Sequence, residues 1–117
     1  MRVCITSKGK CLTDQFDERF GRCSYLLLVD PSTMELEAIN NPGILVDHGA
    51  GIAAAQRVAD IHADALITGH LGPNAEGVLA GNQMTVYLAK GGSAQSVLDD
   101  FMAGRLKQVL PAQSSEK

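Results

Sequence analysis

Residues 5–30, "ITSKGKCLTDQFDERFGRCSYLLLVD", decide how this chain is read. Two strand-like runs, VCIT at 3–6 and SYLLLVD at 24–30, flank a segment too long and too charged for a hairpin turn. That segment carries Lys8, Lys10, Asp14, Asp17, Glu18, Arg19 and Arg22, with Cys11 and Cys23 near its ends and Phe16 and Phe20 among the charges. Connections of this length in compact domains are typically functional or disordered, and Gly21-Arg22-Cys23 running straight into a strand argues for order. In the first strand Val3 and Ile5 share one face and Cys4 takes the other. The near-continuous apolar run Tyr25 to Val29 predicts a second strand covered on both faces.

Working outward, "DPST" at 30–33 is turn chemistry. "MELEAIN" at 34–40 alternates Met34, Leu36 and Ala38 against Glu35 and Glu37, which predicts a half-exposed antiparallel strand ended by "NNPG". The rhythm then changes. "GAGIAAAQRVADIH" predicts a helix with Ile52, Ala55, Ala59 and His62 on one side. "ALITG" is a short buried strand, "GPNAEGVLAG" a helix, "MTVYLA" a strand, and "SAQSVLDDFMAG" a helix with Val97, Leu98, Phe101 and Met102 at helical spacing. Gly81 and Gly104 stand where helix C-terminal glycines belong. The order is βββαβαβα. A meander followed by right-handed parallel crossovers gives a five-stranded mixed sheet of order 3-2-1-4-5, with strand 2 antiparallel to the rest. This is the outline of a ribonuclease-H-like α/β fold. One domain is expected over residues 1–110, with a flexible tail at 111–117.

Composition bounds the function. The chain has 117 residues, 45% hydrophobic and 20% charged, with a formal charge of −3. Binding to a nucleic-acid backbone needs a surplus of Lys and Arg on one face, so nucleic acid is not an expected partner. No apolar run approaches the ~20 residues of a membrane span. The first ten residues reach charge and glycine too early for a signal-peptide core, so a cytoplasmic location is expected. Three cysteines in a reducing compartment suggest free thiols or metal ligands instead of a disulfide framework.

Ligands of open α/β sheets bind beyond the carboxyl ends of the strands, where connections diverge. Here that point lies between strands 1 and 4. "SKGK" (Ser7, Lys8, Lys10), "DHGAG" (His48, Gly49, Gly51), "TGHLGPN" (Gly69, His70, Gly72, Asn74) and Lys90 all arrive there. Two of these segments join glycine to a helix N-terminus, whose free N–H groups and dipole favour an anion. Lys8, Lys10, Arg22 and Lys90 would add full charge. The glycine spacing matches neither the P-loop nor the dinucleotide fingerprint. His48 and His70 are the better metal-ligand candidates, since imidazole is a common ligand. Cys11 and Cys23 lack compact zinc spacing, and Cys4 reads as a small core residue. Phe16 and Phe20 are expected to pin the loop to the body.

"FDERFGRCSYLLLVD", "NNPG", "HGAGIAAAQRVAD" and "GPNAEGVLAGNQMTVYLAKGGSAQSVLDDFMAGRL" together resemble the dinitrogenase iron–molybdenum cofactor biosynthesis family, in order from Arg2 to Leu110. That family includes NifX-like proteins, the NifB C-terminal domain and the orange protein. The resemblance implies a ribonuclease-H-like fold and a non-catalytic carrier of an anionic metal–sulfur cluster, containing molybdenum with iron or copper. It also implies cofactor-assembly or acceptor proteins as partners. Arg19, Phe20, Gly21 and Arg22 form its "RFGR" motif. Cys11, Cys23, His48 and His70 are the candidate metal ligands. No radical-SAM cysteine motif stands in the chain, so a whole NifB-type enzyme is not implied. A nuclease reading fails on chemistry, because strand 1 offers Cys4 and Thr6 where two-metal nucleases need carboxylates. A regulatory or interaction module binding a small anion or a protein is the alternative.

Overall fold

The computed structural model describes residues 1–111. Its elements in chain order are β1 (Val3–Ser7), β2 (Tyr25–Val29), β3 (Leu36–Asn40), a 3₁₀ turn (Pro42–Leu45), α1 (Ala50–Asp60), β4 (Ala65–Thr68), α2 (Pro73–Gly81), β5 (Thr85–Leu88), α3 (Ala94–Met102) and β6 (Lys107–Leu110). The sheet order is β3-β2-β1-β4-β5-β6. β2 is antiparallel to β1 and β3, while β1, β4 and β5 are mutually parallel. The expected order 3-2-1-4-5 is therefore present, but the sheet has six strands, not five. β6 returns antiparallel to β5, with Val86 opposite Leu110. It is an edge strand of mixed character, its first residue exposed and only Leu110 fully buried. That gave periodicity little to detect. Beyond Pro111, the tail expected at 111–117 lies outside the described residues.

Alternation along β1 divides the interior into two cores. Cys4 joins Leu26, Leu28, Leu66 and Val86 under α1 and α2. Val3 and Ile5 join Leu27, Val29 and Ile67 under α3. β1 and β4 are buried throughout, as central strands covered on both faces should be. α1 turns Ala54, Ala55 and Val58 inward. It packs against α2, which buries Ala75 and Leu79, and the small side chains permit the close approach. Ile52, expected on the buried side, instead borders the cleft described below, and His62 lies past the helix end at positive φ.

β3 departs from its expected facing. Leu36 and Ala38 are both exposed, and Ile39 is its single buried residue. Ile39 sits opposite Leu26 and joins the core beneath α1 and α2. α3 lies over the middle of the sheet, against β1, and does not reach the edge where Leu36 and Ala38 point. The apolar alternation was real, but no layer covers it. Gly104, at φ 75, follows α3 as expected. Gly81 is instead the last residue of α2, with Asn82 as the cap.

Candidate functional site

The long loop straddles the carboxyl end of the sheet and plants one aromatic in each core. Phe16 enters the α3 side and Phe20 the α1–α2 side, both nearly fully buried. Between them the backbone is sewn to β1: Asp17 N–H donates to the Thr6 carbonyl (3.0 Å), and Thr6 Oγ1 donates to the Asp17 carbonyl (2.6 Å). The Thr6 and Thr68 hydroxyls are themselves 3.1 Å apart, which ties β1 to β4 at the same level.

Past Asp17 the chain runs against backbone at three glycines. A Cβ on Gly69 would collide with Glu18, including its Cα at 2.6 Å. Beside this contact Arg19 and His70 form an isolated parallel bridge. A Cβ on Gly21 would meet the Gly51 nitrogen at 2.8 Å, and one on Gly43 would meet the Ala50 carbonyl oxygen at 2.8 Å. Loop, 3₁₀ turn and α1 start are thus stacked backbone on backbone, which is why side chains are absent there.

Asn41 locks the stack. Fully buried, its Nδ2 donates to the carbonyls of Phe20 (3.1 Å) and Cys23 (2.9 Å), while Oδ1 accepts from Gly43 N–H (3.0 Å). Arg22 reaches across the same junction. Its guanidinium donates to the carbonyls of Gly43 (3.2 Å), Val46 (2.9 Å) and Asp47 (3.3 Å), so its charge meets neutral acceptors only.

These elements wall a cleft of about 680 Å³. One side is Glu18 to Arg22. The other is formed by the first turns of α1 (Gly49–Ile52) and α2 (Gly72–Ala75), with His70 between. Neither helix has a side-chain N-cap, and Pro73 occupies the first turn of α2. The N–H groups of Ala50, Gly51, Ile52, Asn74 and Ala75 have no acceptor within their own helices, as first-turn donors do not, and all five residues line the cleft. Two parallel positive dipole ends therefore converge on one concavity beside an arginine. Apolar walls from Ile52, Pro73 and Ala75 suit a large, weakly hydrated anion better than a compact, strongly hydrated one.

Of the residues expected at the site, the structure brings Arg22, Gly49, Gly51, His70, Gly72 and Asn74 to the cleft. Gly69 supports it from behind through its contact with Glu18. His48 is exposed beside Gly49 but does not line the cleft. Ser7 is fully buried, its hydroxyl donating to the Gly9 carbonyl at 2.8 Å. Lys8 borders a smaller hollow of about 230 Å³ on the far side of the Glu18–Arg19 ridge. Lys10 lies over the Tyr25 ring, 5.7 Å from its centroid, and Lys90 is exposed outside the cleft. The candidate metal ligands are not gathered. Cys11 is exposed on the loop and Cys23 is buried in the core. Cys23 Sγ lies 3.5 Å from the Phe20 carbonyl oxygen and 3.3 Å from Asn41 Nδ2. Burial pushes the Cys23 thiol up to about 12, and pushes Cys4 up as well. Among the described residues no three His, Cys, Asp or Glu side chains converge to hold a metal ion.

Sequence reasoning did not name Glu18, Ala50, Ile52, Pro73 and Ala75 as site residues, and Arg19, Phe20 and Gly21 entered only through the RFGR motif; all eight line the cleft. Four of these are small or apolar residues presenting backbone at helix starts. No side-chain criterion detects them.

Comparison with known proteins gives this chain a lineage. The family model for dinitrogenase iron-molybdenum cofactor proteins matches residues 1–104. The apo form of the orange protein from Desulfovibrio gigas superposes with a TM-score of 0.88 at 31% identity, over 97% of this chain and 96% of that one. A NifB-like protein from Thermotoga, solved by NMR, gives 0.81 at 30% identity over 98% of each chain. An uncharacterised protein of Methanocaldococcus jannaschii is 28% identical over 98 residues, 81% of this chain and 83% of its own length. The chain belongs to the dinitrogenase iron-molybdenum cofactor family.

Proposed function

We propose that this protein is a non-catalytic carrier of an anionic metal–sulfur cluster, held in the cleft between the α1 and α2 N-termini and the Arg19–Arg22 segment. The cargo on this reading contains molybdenum with iron or copper, and the partners are cofactor-assembly or acceptor proteins. One observation carries the proposal: two helix starts without side-chain caps and Arg22, which has no acidic partner among the described residues, line one apolar-walled concavity. His70 and Glu18 also line it, but among the described residues no three His, Cys, Asp or Glu side chains converge as a metal-ligand set. A cluster that brings its own sulfide ligands needs only charge, N–H donors and apolar contact. The order β3-β2-β1-β4-β5 with β2 reversed supports the ribonuclease-H-like assignment of the sheet. No helix among the described residues is long and apolar enough to cross a membrane, in keeping with a cytoplasmic carrier.

The test is anaerobic purification with an absorption spectrum and metal analysis. Equilibrium binding of tetrathiomolybdate, with and without copper(I), follows at low and high salt. Bound molybdenum, and affinity that falls as salt rises, are the expected results. A metal-free protein that takes up neither probe overturns the reading.

A second reading has one observation behind it. Ile44 and Leu45, 46% and 82% exposed, project from the 3₁₀ turn whose backbone holds Arg22. Such apolar exposure beside the cleft also suits an interaction module, in which a protein partner covers the turn.

A further inference from the structure

Arg19 and Arg22 both border the cleft, yet they are held in opposite ways. The Arg22 guanidinium donates to three neutral carbonyls and keeps its charge. Arg19 grips Asp17: Nε donates to Oδ1 (3.1 Å) and Nη2 to Oδ2 (3.0 Å), while the Arg19 backbone N–H also donates to Oδ1 (2.9 Å). The Arg19 side chain is 67% exposed and that of Asp17 only 2%. The carboxylate therefore cannot follow the guanidinium into the cleft. Its own backbone is fixed to Thr6 from both sides. Burial opposes ionisation of Asp17, but the hydrogen bonds and charge of Arg19 outweigh it and its pKa is lowered. The pair is thus fully ionised near neutrality and internally neutral. Arg19 also borders the smaller hollow shared with Lys8, Phe16 and Asp17, so its guanidinium sits on a ridge between two concavities. The adjoining Glu18 carboxylate is drawn aside as well, accepting from Gly91 N–H at 3.2 Å.

We propose that Asp17 is a positioning residue that withholds Arg19 from the anion held in the cleft, setting an affinity low enough for the cargo to be handed on. The inference rests on the anion-carrier reading and deepens it. A carrier must release what it binds. A second uncompensated guanidinium, able to grip sulfide or oxo groups through a planar fork, would hold the cargo too tightly. Sequence alone would count Arg19 and Arg22 as equivalent arms of "RFGR"; the fold makes one an open charge and the other a closed one.

The experiment compares the wild type, Asp17→Asn, Arg19→Gln and the double variant, with tetrathiomolybdate as the probe at low and high salt. Asparagine keeps an Oδ1 acceptor for the Arg19 N–H and removes the charge. The expected result is about fivefold tighter binding by D17N at low salt, with a steeper salt dependence. R19Q should cost the wild type less than about threefold, yet remove the whole gain in the D17N background. A merely structural ion pair would lower stability without tightening binding. A measurement on the wild type itself guards against a variant that fails to fold. On titration with the probe, the Arg22 Nε–H resonance should shift strongly and the Arg19 Nε–H resonance stay near its apo position. Wild-type binding with D17N unchanged or weaker, a gain that survives R19Q, or an Arg19 shift as large as that of Arg22 each overturns the inference alone. No binding by any of the four proteins overturns the carrier reading, and this inference with it.

Discussion

The two halves of the long loop behave as different materials. Residues 8–15 carry Lys8, Lys10 and Cys11, all exposed. Leu12 and Asp14 are tied to the start of α3, their carbonyls accepting from Gln95 N–H (2.7 Å) and Ala94 N–H (2.9 Å). The charged tip between Lys8 and Cys11 stays at the surface, where Cys11 N–H donates to Asp14 Oδ2 and Lys10 lies over Tyr25. Residues 16–23 bury Phe16, Asp17, Phe20 and Cys23, and their backbone is pressed against β1, α1 and the end of β4. Conspicuous chemistry lies in the first half and the cleft wall lies in the second. A flexible lysine is a mobile point charge, whereas a guanidinium braced on three carbonyls or a helix-terminal N–H costs little further ordering when an anion arrives. Preorganisation, not charge count, separates the halves.

Stability measurements sharpen this contrast most. Asn41→Ala should lower the unfolding free energy by about 3 kcal/mol, because the Phe20 and Cys23 carbonyls and the Gly43 N–H lose a buried partner. Asp14→Ala, which removes an acceptor from the exposed Cys11 N–H, should cost less than about 1 kcal/mol, since water replaces it. The glycines repeat the comparison. Gly21→Ala forces a methyl onto the backbone of Ala50 and Gly51, for roughly 1–3 kcal/mol. Gly9→Ala meets the Asp14 side chain first; its carboxylate can rotate away, and the Asp14 Cβ at 2.8 Å asks a small shift of a surface turn, so the cost should be below that of Gly21→Ala. Urea unfolding of the four variants checks both pairs, and equal costs in the two halves would break the comparison.

Binding comes next in size. Arg22→Glu should weaken thiomolybdate uptake by tenfold or more, since a charge-assisted contact contributes roughly 1.5–3 kcal/mol. Lys10→Glu, on the Tyr25 face, should change it by less than about threefold, through long-range charge that salt removes. A Lys10 effect matching that of Arg22 would place the anion on the first half of the loop instead.

How far the sequence discloses this molecule follows the same division. Apolar runs and glycine and proline signals exposed the central strands and all three helices, and the crossover rule the sheet order. Burial leaves a mostly apolar record in β1, β2 and β4, with Thr6, Ser7 and Thr68 the polar exceptions. β6 was hidden by its polar edge, and the facing of β3 was misread because its apolar face is uncovered. At the site, glycines before helices and the RFGR arginine were visible. What no local pattern reveals is the compensation of Arg19 by a buried Asp17, or the role of Asn41. Both depend on which distant backbones the fold stacks together. Within one short motif, Arg19 and Arg22 look alike until partners are assigned.

The smallest expected effect concerns the loop's two cysteines. Cys11 is exposed in the first half and Cys23 buried in the second. At pH 8 a disulfide reagent such as DTNB should titrate one of the three thiols rapidly in the folded protein, and Cys11→Ser should abolish that phase. Cys23 and Cys4 should react only through opening of the core, because burial disfavours their thiolates. For Cys23 the folded value, about 12, lies above the ordinary 9.0. The unfolded chain therefore releases this proton first as pH rises. Stability from the buried thiol is fully present below about pH 9 and is lost progressively towards pH 12. Unfolding followed between pH 8 and 10.5 should show a modest decline that is smaller in Cys23→Ala, measured against that variant's own pH 8 baseline. If Cys23 instead reacts as fast as Cys11 at pH 8, the second half of the loop opens as readily as the first, and the contrast between them fails.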